Sequence, residues 1–371
     1  MFRRARIRPF PRKGANPHSL SPIPTFLRVL TTASESPSHR AWLAGRIGRR
    51  ASMWVQRAPR ACALAAQPRG ATSTSFPTLL RLVEEADSLV VLTGAGMSTE
   101  SGIPDYRGER GAYKTGFKPI MHRDFVQSLA SRRRYWARSF AGWGTFRMAG
   151  PNSGHVAMAR LQSQRQWSLV TQNVDRLHQI AGSGDVLELH GTTHEVICLG
   201  CSFRMPRPAF QQWLLDLNPA HAALATLPTA KGEKVANVRA LEEELKDAGM
   251  QRPDGDMELA ADADAHFVVP DCPKCGGTLK PDVVFFGDNV PPWRHAEAER
   301  RIHGADALLI VGSSVTVFSA FRLARLAREK GLPIAVINQG DTRVDPFEGL
   351  VKYDQEPIGA TMQRLQRHLI P

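Results

Sequence analysis

Four of the chain's five cysteines stand as two Cys-x-x-Cys pairs, Cys198 with Cys201 and Cys272 with Cys275, with 70 residues between them. Zinc takes four ligands in a tetrahedron, and two such pairs, each in a knuckle-like context ("CLGC" and "CPKCGG"), supply four thiolates. The chain must then depart at one pair and return at the other, which predicts an inserted zinc-ribbon and helical module over about residues 196–277. Paired disulfides are the alternative use of four thiols, and in an intracellular chain zinc is the better reading. Four thiolates leave zinc no open position, so one structural ion is expected. Within the insertion, "PAFQQWLLDLNPAHAALA" and "VRALEEELKDAG" read as helices.

Outside the insertion, continuous apolar runs recur: "SLVVLT", "WSLVTQN", "DVLELHG", "ADALLIVGSS" and "LPIAVINQG". Strands buried on both faces of a parallel sheet read this way, whereas half-exposed strands alternate. Helical patterns such as "TLLRLVEEAD" and "SAFRLARLAREKG" separate them. The expected fold class is α/β, a doubly wound Rossmann-type parallel sheet. It would occupy about residues 77–112, 151–195 and 278–371, with a small helical part at 113–150. No run of 18 apolar residues exists, so no membrane span is expected.

The net charge of +13 suggests a nucleic-acid partner until it is located. Residues 1–70 carry thirteen Arg and one Lys against the single acid Glu35, which leaves 34 basic and 34 acidic residues in the remainder. A chain whose body nets zero has no electrostatic footprint for nucleic acid. The Arg- and Ser-rich, acid-poor opening "MFRRARIRPFPRKG" has the composition of an organellar transit peptide. Residues 1–72 are therefore expected to be a leader read by organellar import machinery, with the mitochondrial matrix favoured over a plastid. A disordered basic tail is the alternative.

"VVLTGAGMSTESGIPDYRG" places Gly94 and Gly96 directly after a buried strand, where backbone amides can approach a pyrophosphate. The spacing is not G-x-G-x-x-G, and a tight turn that binds nothing is the plain alternative. "VGSS" (311–314) and "INQG" (337–340) put small polar residues at two more strand ends, where ligands of doubly wound folds bind. Gln172, Asn173 and Asp175 in "VTQNVDRLH" could read a carboxamide and ribose hydroxyls, or merely cap the next helix. His190, ending "LELH", is a zinc ligand, a buried structural histidine or a catalytic base. Four thiols fill a zinc site without it; the other two readings stay open on the residues alone.

Together, "GAGMSTESGIPDYRG", "TQNVDRLH", "LELHG", the two Cys pairs, "LKPDVVFFGDN", "VGSSVTVFSA" and "INQGDTR" resemble the sirtuins, the NAD-dependent protein deacylases. The resemblance spans about residues 77–368 and leans toward the class II, mitochondrial-type branch. It implies NAD and an acylated lysine of a protein substrate meeting in a cleft. It implies that Gly94, Ala95, Gly96, Ser98, Ile103, Pro104, Asp105, Tyr106, Arg107 and Tyr113 form the cofactor loop. Gln172, Asn173, Val174 and Asp175 would hold nicotinamide and its ribose. Gly312, Ser313, Ser314, Asn338, Gln339 and Gly340 would hold the adenosine side, together with Ile358, although "VKYDQEPIGA" follows the family only loosely. Val284, Phe285, Phe286, Gly287 and Val317 would clamp the peptide as an added strand. Cys198, Cys201, Cys272 and Cys275 would bind zinc, and His190 becomes the catalytic base that activates a ribose hydroxyl. His155, His178 and His194 receive no such role and are expected to be structural.

Tyr135 and Arg138, three apart on an expected helix, resemble the Tyr-x-x-Arg pair by which one sirtuin branch reads an acyl carboxylate. They predict a preference for longer or carboxylated acyl groups; the plain alternative makes Arg138 one more solvated arginine of "SRRRYWARS". The activity expected is deacylation that releases nicotinamide and O-acyl-ADP-ribose. Protein ADP-ribosylation at the same site is the alternative, and a non-catalytic NAD and zinc module a remoter one. A hydride-transferring dehydrogenase is disfavoured by the missing fingerprint and the four-cysteine insertion.

Overall fold

The computed structural model describes residues 73–109, 111–116, 118–225, 252–259 and 263–370. All lie in the unit that runs from Ala61 to Pro371. The leader and the expected helix "VRALEEELKDAG" fall outside the described residues.

In chain order the helices are α1 (Phe76–Glu85), α2 (His122–Gln127), α3 (Leu129–Met148), α4 (Ser153–Gln164), α5 (Leu177–Ile180), α6 (Arg207–Leu217), α7 (Pro292–Gly304), α8 (Phe318–Glu329) and α9 (Ile358–Leu369). The strands are β1 (Ser88–Thr93), β2 (Gln166–Thr171), β3 (Val186–Glu188), β4 (Gly191–Cys198), β5 (Arg204–Pro206), β6 (Leu279–Val283), β7 (Ala307–Val311), β8 (Ile334–Ile337) and β9 (Val351–Tyr353).

Six strands form an all-parallel sheet in the order β3-β2-β1-β7-β8-β9. Its apolar runs do not alternate because both faces are covered. Leu89, Val91, Leu309, Val311, Ala335 and Ile337 point into one core, which α1, α4 and α9 complete. Val90, Leu92, Leu308, Ile310, Ile334 and Val336 point into the other, closed by α7 and α8. Successive residues thus feed opposite cores, as the period of two requires. The order reverses between β1 and β7, and the carboxyl ends of those strands are where such a sheet binds ligands. Among the described residues no helix is long and apolar enough to cross a membrane.

A three-stranded antiparallel sheet, β5-β4-β6, builds the smaller module. Here the structure departs from the expected limits at both ends. β4 begins at Gly191, before residue 196, and β6, expected in the Rossmann part, pairs with β4 instead. Pro281 can sit in β6 because that strand is an edge. α3 and α6 pack beside this sheet through Trp136, Phe140, Phe210 and Leu214, all fully buried.

The chain passes from β3 in the large sheet to β4 in the small one through a tight approach. Gly191 has φ +82°, and a Cβ there would lie 1.8 Å from the Asp282 carbonyl oxygen. Both the left-handed backbone and the contact exclude a side chain. Gly191→Ala is therefore expected to cost about 2–4 kcal/mol, readable as a lower midpoint in urea denaturation. An unchanged midpoint would mean that β6 can move aside freely.

Candidate active site

The cleft at the switch point begins with backbone packing. Gly94 N–H donates to the Val311 carbonyl (3.0 Å) and Gly96 N–H to the Gly312 carbonyl (2.9 Å). Gly312 has φ +61°, and a Cβ on it would meet Met97 N at 2.4 Å. These glycines let the turn after β1 lie against the turn after β7, which narrows the floor of the cleft. The cleft encloses about 1870 Å³, beyond the roughly 300–1,000 Å³ of an ordinary small-molecule pocket, so it has room for two ligands.

Every residue expected to contact the cofactor lines this cleft except Tyr113. Tyr113 instead packs beneath the loop, with the Arg107 guanidinium 5.1 Å from its ring centre and the Tyr106 ring at 5.6 Å. The amide pair after β2 is tied to both strand ends. Gln172 Nε2 donates to Ser313 Oγ (2.8 Å), and Asn173 Nδ2 donates to the Gly94 carbonyl (3.0 Å). Asp175 accepts from Ser98 Oγ at 2.7 Å and from the Leu177 N–H at 2.9 Å. The capping alternative is met only in part: Arg176 is the N-cap of the short α5, while one Asp175 oxygen takes that helix's first N–H and the other holds the glycine turn. Burial raises the Asp175 pKa, against those hydrogen bonds, which lower it.

His190 lines the cleft at the start of β4. Its Nδ1 lies 3.2 Å from the Gln172 carbonyl and its Nε2 2.8 Å from Ser319 Oγ. Burial pushes its pKa down to about 4, the Gln172 carbonyl opposes this, and Arg294 adds to it. The ring is thus neutral and proton-accepting at ordinary pH. The other three histidines are held elsewhere. His155 completes a capping box with Asn152 at the start of α4 and packs edge-on against His178 (4.8 Å). His178 contacts Thr93 Oγ1 at 3.0 Å, and His194 stacks edge-on against Trp143.

The four thiols converge. Cys198 Sγ lies 3.5 Å from Cys275 Sγ and Cys201 Sγ 3.7 Å from Cys272 Sγ, with all four within 4.8 Å of one another. Disulfide sulfurs sit about 2.05 Å apart, so these are not bridged. A zinc–sulfur bond of about 2.3 Å gives a tetrahedron edge of about 3.8 Å, and the cluster fits one structural zinc ion. The arrangement follows from pairing: the first knuckle joins β4 to β5, the second precedes β6, and Cys198 faces Leu279 across the ladder. At the other end of that ladder the Val284 N–H donates to the His190 carbonyl (2.8 Å). One antiparallel pair thus carries metal thiols at one end and, at the other, His190 and the Val284–Gly287 wall of the cleft.

The expected acyl-carboxylate reader is engaged elsewhere. Arg138 Nε lies 2.9 Å from Asp256 Oδ1 and its Nη2 3.3 Å from Glu258. Neither Arg138 nor Tyr135 lines the cleft; Tyr135 is buried among Phe125, Trp136 and Phe285. A guanidinium already holding two carboxylates would have to release them to take a third. Val284, Phe285, Phe286, Gly287 and Val317 do line the cleft. So do Ser319, which falls in the quoted "VGSSVTVFSA" without a role of its own, and Arg252–Asp254 from the far side of the insertion.

A family model described as the Sir2 family matches residues 94–319, more than half of the chain. The chain belongs to the Sir2 family. Among its relatives, the NAD-dependent protein deacylase SRT2 of Arabidopsis thaliana is 48% identical over 270 residues, covering 72% of this chain and 70% of that protein. The mitochondrial NAD-dependent protein lipoamidase sirtuin-4 of Bos taurus is 44% identical over 276 residues, covering 73% and 80% respectively. A solved Sir2 homologue in complex with NAD shares 26% identity, with a TM-score of 0.56 over 82% of this chain and 96% of that one.

Proposed function

We propose that this Sir2-family chain is an NAD-dependent protein-lysine deacylase that releases nicotinamide and O-acyl-ADP-ribose. The observation that carries this reading is a neutral imidazole, His190, facing a two-ligand cleft and separated by a whole strand from the four metal thiols. Bound NAD would supply an electrophilic ribose carbon and a nicotinamide leaving group. The chain does the rest. The Gly94–Gly96 turn lets a pyrophosphate come close to the backbone of the cleft floor, and Gln172, Asn173 and Asp175 orient nicotinamide and its ribose. Asn338 and Gln339 hold the adenosine side, the Val284–Gly287 segment and Val317 hold the peptide of an acylated protein, and His190 takes up the hydroxyl proton.

The acyl preference is placed with longer, uncharged chains. The pairing of Arg138 with Asp256 and Glu258 argues against carboxylated ones, and the bovine relative is named for lipoamide. The mitochondrial matrix is the proposed compartment, on the composition of residues 1–72 and that relative's mitochondrial designation. The test is mass spectrometry of products from the protein, NAD and a mixed panel of acyl-peptides. Acyl-ADP-ribose, formed fastest from long apolar acyl groups, is expected. ADP-ribosylated protein without acyl-ADP-ribose would favour the transferase alternative, and NADH would sink both.

A further inference from the structure

The base has two nitrogens, and both are engaged before any ligand arrives. A backbone carbonyl can only accept, so the Gln172 oxygen 3.2 Å away assigns the ring proton to Nδ1. Nε2 is then a bare lone pair, and the hydroxyl of Ser319, 2.8 Å from it, must donate. Ser319 sits in the first turn of α8, reaches His190 across 129 positions of sequence, and lines the same cleft.

We propose that Ser319 is a positioning residue for His190, holding the ring in one orientation in both protonation states. The inference rests on the deacylase reading of the site. While the ring is neutral, the serine donates to Nε2. As an incoming hydroxyl reaches Nε2, Ser319 first turns its O–H away about its Cβ–Oγ bond and yields the single lone pair; the hydroxyl's proton then passes to Nε2, and Ser319 Oγ accepts from the new Nε2–H. The ring gains one proton and one positive charge, and Ser319 keeps its own proton throughout. Loss of the Nε2 proton to water restores the starting state. A hydroxyl suits this task because it can serve as donor or acceptor without moving its oxygen. The half-buried imidazolium, with Arg294 nearby, gains from such an acceptor, since a poorly solvated charge without a partner is costly.

The test compares the wild type with Ser319→Ala and Ser319→Thr. In ligand-free protein labelled with ¹⁵N-histidine, the Nε2 resonance of His190 is identified by its loss in His190→Asn. It is expected to shift in Ser319→Ala toward an unbonded imidazole nitrogen and to return in Ser319→Thr. In turnover, Ser319→Ala is expected to lower kcat about 10- to 100-fold through misplacement of the base, with KM for NAD unchanged, and Ser319→Thr to recover most of it. An unmoved Nε2 resonance overturns the proposal. So does a loss of kcat that threonine does not rescue, or one matched by a rise in KM for NAD. Nicotinamide exchange precedes the need for a base and should be equal in all three. Its absence from all of them would sink the deacylase reading instead, and the ¹⁵N shift would then judge the serine contact alone.

Discussion

Replacing His190 by asparagine is expected to cut deacylation by roughly 10²–10⁴-fold, the usual contribution of a positioned general base, while nicotinamide exchange persists. Asparagine keeps a polar group near the Gln172 carbonyl but cannot take up a proton. The pH dependence makes the expectation sharper. A base works only unprotonated, and burial holds the ring neutral down to about pH 4 rather than about 6.5. As pH falls, kcat/KM, which reports the free enzyme, should stay level through the ordinary histidine range and drop only toward pH 4. His190→Asn should lack that limb. A limb centred near 6.5 that His190→Asn removes would mean only that the ring is better solvated; a limb that survives in His190→Asn would show that the proposed role is wrong.

Removing zinc is expected to have the other large effect, on stability and activity together. Binding energies of structural zinc sites are on the order of 10 kcal/mol, and here the ion would tie thiols on both sides of the long insertion. The β4–β6 ladder transmits the loss: it ends at the thiols on one side and at the His190–Val284 hydrogen bond on the other. Cys272→Ser or a strong chelator should therefore lower the Tm markedly and silence a cleft that the metal does not touch. Metal analysis of the intact protein should give one zinc per chain. A metal-free protein with unchanged melting and turnover would show that packing alone holds the module.

What could be read from the chain and what could not divides along contact range. Strands β1, β2, β7 and β8 are legible because a sheet covered on both faces demands uninterrupted apolar residues, a local signal. The glycines at 94, 96 and 312 are legible because a close backbone approach admits nothing larger. β9, three residues long, carries too little pattern, and β6 holds a proline that disguises an edge strand. The placing of Tyr135 and Arg138 on one helix was correct, yet Asp256, 118 positions away, claims the guanidinium. Ser319 lies within the quoted "VGSSVTVFSA", but its contact is hidden for the same reason: nothing near it in sequence announces an imidazole at 2.8 Å. Helical spacing tells which side chains share a face, not which distant residue that face meets. The cysteines escape this limit because four soft ligands in two tight pairs require a common centre wherever the chain wanders.

The outer flank of β9 is covered by the first described residues. Ser73 bridges to Lys352, and both the backbone N–H and the hydroxyl of Thr74 donate to the Lys352 carbonyl, at 2.7 and 2.8 Å. These two residues act as a stopper on a strand margin that would otherwise be a template for another molecule's backbone. Proteolysis that halts upstream of Ser73 keeps the stopper in place. Removal of Ser73 and Thr74 would uncork it and leave the β9 edge free to pair with another molecule.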